Sequence, residues 1–241
     1  MMKYTIRYVS LLAGMLTVFS SCEHKDLCFD HDAHAPKSDV HIKAVYEKEW
    51  EHTCEGGPDW EQYPAWESRF GMDYHELCPD APDGLRIQVY NEDGTNNVLN
   101  VAPEGDIVRM RPGEHSLLLY NNDTEYIVFD DMNSFASAKA TTRTRTRASY
   151  GGNPDMENTV ENTVNAPDML YGNYMENYTA ERKTETDELP VTMHPLVFTY
   201  LVRYEFSHGL EYVALARGAL AGMAGAVWLN SGRTSEEAVT I

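Results

Sequence analysis

The chain is short of positive charge. Nineteen Lys and Arg stand against 38 Asp and Glu, a formal net charge of −19 over 241 residues. Nucleic acid and anionic membrane surfaces are thereby excluded as partners of the protein surface, because both repel an acidic body. Signatures of chemistry are missing as well. No GxSxG, HExxH, P-loop or EF-hand loop occurs, and Ser, His and Asp scattered along a chain do not make a triad. The reading is a protein that is not an enzyme, with no cofactor and no metal centre. Cysteine is scarce: four residues without a CxxC spacing, which argues against a zinc finger or ribbon. Long apolar runs are scarce too. Residues 9–19 form one of eleven, against about 20 needed to cross a bilayer as a helix.

What is present begins with that short run. Lys3 and Arg7 precede it, and Ser20 and Ser21 separate it from Cys22. A positive start, an apolar stretch and small residues make a secretory signal. The end of the stretch resembles a bacterial lipobox, in which the signal is cleaved before a lipidated cysteine. Phe19 and Ser21 depart from its commonest residues. The expectation is a lipoprotein signal over residues 1–21 and a lipid on Cys22. Cleavage removes two of the 19 basic groups, leaving 17 against 38 acidic and a formal charge of −21. Residues 22–38 then act as a tether. The lipid supplies the membrane affinity, and two or more acyl chains make such anchoring stable.

With Cys22 lipidated, Cys28, Cys54 and Cys78 remain, enough for one disulfide and a leftover thiol. Cys54 and Cys78 flank a Pro/Gly/Trp-rich stretch that a covalent clip would order, and they are the favoured pair.

Fifteen Tyr and eleven Pro suit a loop-rich β protein better than a helical bundle. Residues 39–47 alternate, with Val40, Ile42, Ala44 and Tyr46 on one face, and read as the first strand. Residues 50–82 show no period and read as an insertion. Residues 84–130 carry five or six short alternating strands punctuated by turns, among them Asn91-Glu92-Asp93-Gly94 and Arg111-Pro112-Gly113. An antiparallel β-sandwich over residues 39–133 follows. Residues 134–188 hold a basic low-complexity run and a tandem ENTV, and read as a flexible linker. Within them, residues 167–178 are rich in Met, Leu and Tyr and suggest docking against a domain. Residues 194–206 return to strand character. Gly218 and Gly222 are spaced as GxxxG, but Glu211 and Arg217 argue against a membrane helix, so softened strands are expected. Residues 189–241 are too few for a second sandwich and read as the start of an incomplete β domain.

The landmarks CEHKDLC at residues 22–28, Arg111-Pro112-Gly113-Glu114-His115, residues 167–178 and residues 218–229 recur in order in a family of Bacteroidetes lipoproteins of unknown function. The chain resembles that family, and through it the minor, anchor-type subunits of type V fimbriae. The resemblance implies transthyretin-like β-sandwich domains and lipid attachment to the outer membrane, on its surface or its periplasmic face. It also implies a role in pilus anchoring or cell adhesion, with fimbrial subunits or other envelope proteins as partners. It supplies no catalytic residues.

Two clusters remain. Arg143, Arg145 and Arg147 read as a protease-sensitive loop, as an electrostatic contact for an acidic neighbour, or as an exposed loop whose charge does little. Trp50, Trp60 and Trp66 read as a platform for stacking sugar rings or as a small core capping the sandwich. The first of these gives the rival function, a surface glycan-binding lipoprotein of a polysaccharide-utilisation system.

Overall fold

The computed structural model describes residues 38–47, 66–77, 79–145, 162–183, 185–214 and 218–241. These belong to one compact unit, and it is almost entirely β. The strands are β1 (Ser38–Tyr46), β2 (Leu85–Asn91), β3 (Asn96–Val101), β4 (Ile107–Met110), β5 (Gly113–Asn121), β6 (Ile127–Asp130), β7 (Lys139–Thr142) and β8 (Asn162–Thr163). They continue with β9 (Tyr171–Ala180), β10 (Asp187–Pro195), β11 (Met223–Ala224), β12 (Ala226–Trp228) and β13 (Ala238–Thr240). One short α-helix, α1 (Trp66–Phe70), and two 3-10 turns, Tyr74–Leu77 and Leu210–Tyr212, stand among the described residues. Seven strands form a sheet of order β3-β2-β5-β9-β10-β1-β4; β12-β7-β6 and β11-β13-β8 form two smaller ones.

The seven-stranded sheet cannot be flat. At about 4.8 Å per strand its two end strands, β3 and β4, would lie roughly 29 Å apart. Yet residues 102–106 alone join them, and six Cα steps reach at most about 21 Å. The sheet therefore doubles over, with β3-β2-β5-β9 facing β10-β1-β4. The fold line lies in β10, which pairs with β1 from Asp187 to Met193 and with β9 only at His194 and Pro195. Contacts between β1 and β9 tie the two halves together: the Ser38 hydroxyl donates to the Glu181 carbonyl at 2.6 Å, and the Tyr46 and Tyr171 rings meet edge-on at 5.1 Å. The joining segment runs back along β1, where the Ile42 and Ala44 amides donate to the Asp106 and Glu104 carbonyls. This approach requires a glycine at 105. Its φ is +102°, and a Cβ there would lie 2.0 Å from the Ile42 carbonyl oxygen.

Between the two halves lies the main core, built from Val40 and Ile42, Leu85, Ile87 and Val89, Val108 and Met110, Leu117 and Leu119, and Val191 and Met193. A second core covers the outer face of β2 and β5. There Tyr90, Leu118 and Tyr120 pack against Ile127, Ala140 and Val227 of the β12-β7-β6 sheet. The consecutive run from Leu117 to Tyr120 is thus buried on both sides, odd residues inward and even residues outward. Gln88 is the polar exception on that outer face, and its needs are met. Its amide donates to the Met132 carbonyl at 2.6 Å, and the Tyr120 hydroxyl donates to its oxygen at 3.3 Å.

The all-β class expected from sequence is the class observed, with a difference in direction at two places: β1 runs parallel to β10, and β8 parallel to β13. Residues 134–188, expected as a linker, contribute β7, β8, β9 and the first two residues of β10. Residues 187–195, expected to lead into a second domain, complete the same sheet as β1. The reason is tertiary. β9 acquires its place by pairing with β5 from Gly113↔Ala180 to Tyr120↔Gly172, not from any apolar alternation of its own. Ser38, placed at the end of the tether, opens β1.

Candidate functional site

Beyond Pro195 the chain leaves the sheet. Leu196 and Val197 still pack on the second core, and the Leu196 amide donates to the Leu170 carbonyl at 2.7 Å. From Phe198 onward the side chains turn to solvent. Phe198, Leu201, Val202 and Phe206 are exposed, and Tyr200, Tyr204 and Tyr212 are 62%, 60% and 85% exposed. Residues 198–206 were expected as strand, but they hold no strand. Phe198, Tyr200, Val202, Tyr204 and Phe206 all fall at even positions and Leu201 alone at an odd one, so the alternation suits a strand; what the segment lacks, among the described residues, is a neighbouring strand to pair with.

A few contacts give this segment its course. The Arg203 guanidinium donates to the Arg69 carbonyl of α1 and pairs with Glu205 at 3.2 Å. Gly209, at φ +75°, sets up a tight turn in which the Tyr212 amide donates to the Gly209 carbonyl at 3.0 Å. Gly218 admits the Tyr204 phenol, since a Cβ there would lie 2.2 Å from its hydroxyl oxygen. Gly222 sits at φ +76° ahead of β11. The GxxxG spacing therefore serves a side-chain contact and a turn. Among the described residues no helix is long and apolar enough to cross a membrane.

The sequence candidates fall elsewhere. Trp66 lies in α1, its ring tilted against Phe70 at 4.4 Å and edge-on to Tyr74 at 5.0 Å. It belongs to a small aromatic cluster, and Arg69 adds its guanidinium 5.8 Å from the Phe70 ring. Trp50 and Trp60 lie outside the described residues, as do Cys22, Cys54, Cys78 and Arg147. Arg143 and Arg145 are exposed at their side chains but tied at their backbones. The Arg143 amide donates to the Tyr126 carbonyl, the Asn165 amide donates to the Arg143 carbonyl, and the Arg145 amide donates to the Thr163 carbonyl at 2.7 Å. A protease must take its substrate as an unpaired extended strand, so this pairing competes with cleavage at Arg143 and Arg145. Among the described residues no group of three or more His, Cys, Asp or Glu is placed to hold a metal ion.

Burial and nearby charge act on the phenols inside the fold. The Tyr46 hydroxyl donates to the Pro103 carbonyl at 3.0 Å. Burial first, then the Asp123 and Glu104 carboxylates, push its pKa up to about 12. Burial likewise raises Tyr90 and Tyr120. These groups stay neutral and structural. What the described surface after β10 offers is exposed apolar area.

The pattern of a family described as "Domain of unknown function (DUF5119)" matches residues 61–241. A Bacteroides ovatus (strain ATCC 8483) protein named "Putative fimbrium anchoring subunit Fim4B" is 26% identical over 178 residues, spanning 72% of this chain and 50% of that protein. A crystal structure of "a putative adhesin" from Bacteroides ovatus ATCC 8483 superposes with a TM-score of 0.57 at 20% identity. It covers 92% of this chain and 65% of that one. At that identity the likeness concerns the fold. The chain spans about half the length of the curated relative.

Proposed function

The chain belongs to the DUF5119 family, and from that premise we propose that it is a non-catalytic accessory or anchoring subunit of a fimbrium, or an adhesion subunit. On this reading it is held to the outer membrane by lipid on Cys22. The fimbrial name of the relative with 26% identity supports the envelope role. The observation that carries a protein-binding mode is the exposed segment after β10, where Tyr200, Tyr204 and Phe206 stand in solvent on backbone outside any strand. Extended backbone flanked by apolar side chains is what β-strand addition uses: main-chain bonds for affinity, side-chain pockets for selectivity.

Co-purification with co-encoded fimbrial subunits tests the role. Association with such a subunit is expected, and a full-length protein that associates with none overturns it. The anchor is tested separately by Cys22→Ala, which is expected to release the protein from the detergent phase; unchanged partitioning after signal cleavage removes the lipid from the proposal. The glycan reading rests on Trp50, Trp60 and Trp66. Trp66 is engaged with Phe70 and Tyr74, which places this reading second. Glycan-array binding lost in Trp66→Ala would reverse that order.

A further inference from the structure

The two end strands of the seven-stranded sheet are guarded unequally. β4 carries Arg109, locked to Asp39 at 2.7 Å, and the segment before it continues to bond β1. Charges on an edge and a covering loop are the usual protections against further pairing. β3, Asn96-Asn97-Val98-Leu99-Asn100-Val101, has neither a charged residue nor a proline. In a chain of net charge −19 a neutral six-residue edge is a conspicuous gap.

Among the described residues no strand pairs with β3 on its outer side, and the direction of its outward main-chain groups follows from the hairpin. The Asn91 amide donates to the Thr95 carbonyl at 2.8 Å, which fixes 91 and 95 as a hydrogen-bonded pair. In the observed register, hydrogen-bonded pairs then recur at Val89↔Asn97, Ile87↔Leu99 and Leu85↔Val101. The main-chain groups of Asn96, Val98 and Asn100 therefore point away from β2, off the edge. Their side chains share the outer face, while Leu99 and Val101 pack on the main core.

These three residues read Asn-Val-Asn, the same in both directions. We infer that β3 is a homotypic edge: it pairs antiparallel with β3 of a second copy of this chain about a two-fold axis at Val98. Val98 then faces its own counterpart and Asn96 faces Asn100 at both ends. Each of the three pairs exchanges two main-chain bonds. An amide side chain both donates and accepts, so Asn opposite Asn satisfies itself where a charged pair of identical residues would repel. The even sum of the paired numbers keeps both cores on one side of the continuous sheet. Arg86 steadies the terminal amide, its Nε donating to the Asn100 Oδ1 at 2.8 Å. The bodies, each at −19, oppose the contact over distance, so pairing strengthens as salt screens them. This goes beyond the fimbrial reading, which concerns other chains.

Sedimentation velocity of the purified full chain, over a range of protein and salt concentrations, tests it. A dimer is expected whose population rises with both. Val98→Lys sets two ammonium groups opposite each other and is expected to weaken dimerisation about tenfold or more. Ile107→Lys on β4 is the control: Val98 and Ile107 are equally exposed, at 51% and 52%, and Ile107→Lys leaves the dimer intact. Circular dichroism melts confirm that both variants fold. A wild-type monomer at every salt concentration overturns the inference, as does an equal effect of the two substitutions. A chain that stays monomeric but loses a fimbrial partner on Val98→Lys also overturns it, and assigns the edge to a foreign strand.

Discussion

The run from Leu117 to Tyr120 and the run from Phe198 to Phe206 are both rich in apolar residues, the first without interruption and the second at every even position with Leu201 added, yet they end in opposite environments. The first sits in β5 between two cores, with all four side chains buried. The second lies outside any sheet with its tyrosines in solvent. The difference is in what the rest of the chain provides. β5 has a neighbour on each side, β2 and β9, and a layer on each face. The segment after β10 contacts α1 through Arg203 and the chain at Gly218 through Tyr204, and little of its apolar surface is covered. Apolar side chains state a need for covering partners, and here one run has them and the other presents that need at the surface.

The largest test of this contrast is truncation. Leu119→Ala is expected to cost about 2–5 kcal/mol of unfolding free energy. Leu201→Ala is expected to stay within about 0.5 kcal/mol in the same denaturant titration. A comparable loss at Leu201 would mean that the segment is packed in solution. A second test uses one substitution twice. Gly105→Ala and Gly218→Ala both bring a Cβ close to an oxygen, at 2.0 and 2.2 Å. At Gly105 the oxygen belongs to β1 backbone and φ is positive, so about 1–3 kcal/mol is expected. At Gly218 it is the tip of an exposed tyrosine that can swing away, and the melting temperature should move much less.

Proton linkage gives a smaller effect, confined to the buried side of the contrast. Tyr46 keeps its proton in the folded state from the ordinary phenol value near 10 up to about 12. The folded chain then binds more protons than the unfolded one, so stability falls as pH rises through that window. Tyr46→Phe should make the decline shallower, read from melts between the two pH limits. The smallest effect belongs to the exposed pair of Lys43 and Glu188, 2.8 Å apart on the β1–β10 ladder. Lys43→Ala should leave the melting temperature within error, because exposed ion pairs are offset by hydration and side-chain entropy.

Much of the fold was legible where a strand announces itself. β1 shows Val40 and Ile42 on one face; β2 alternates at Leu85, Ile87 and Val89; the Asp93-Gly94 turn places Gly94 at φ +80° as its type requires. What sequence could not show was strands whose identity is borrowed. β9, Tyr171–Ala180, alternates little and takes its register from β5, and β10 carries Pro190 in the middle of its pairing with β1. A proline there normally demotes a strand, and that weighs towards a boundary where the structure has a junction. The candidate surface was half legible. The apolar residues of 198–206 were noticed, but periodicity alone reports no exposure. Trp66 was singled out for its ring, and the nearby Phe70 and Tyr74 that engage it were the available clue.

The parallel pairing of β1 with β10 also has a mechanical meaning. β1 is the first strand after the N-terminal residues, and β10 hands the chain on to the exposed segment. In a parallel pair, the start of one strand and the end of the other lie at opposite ends of the ladder. Tension entering at Ser38 and leaving at Pro195 therefore runs along the strand axis and loads the seven pairs from Val40↔Asp187 to Tyr46↔Met193 together. An antiparallel neighbour in that place would put both points of load at one end and open bond by bond, like a zip. The ladder that closes this core is thus also set to resist a pull in shear.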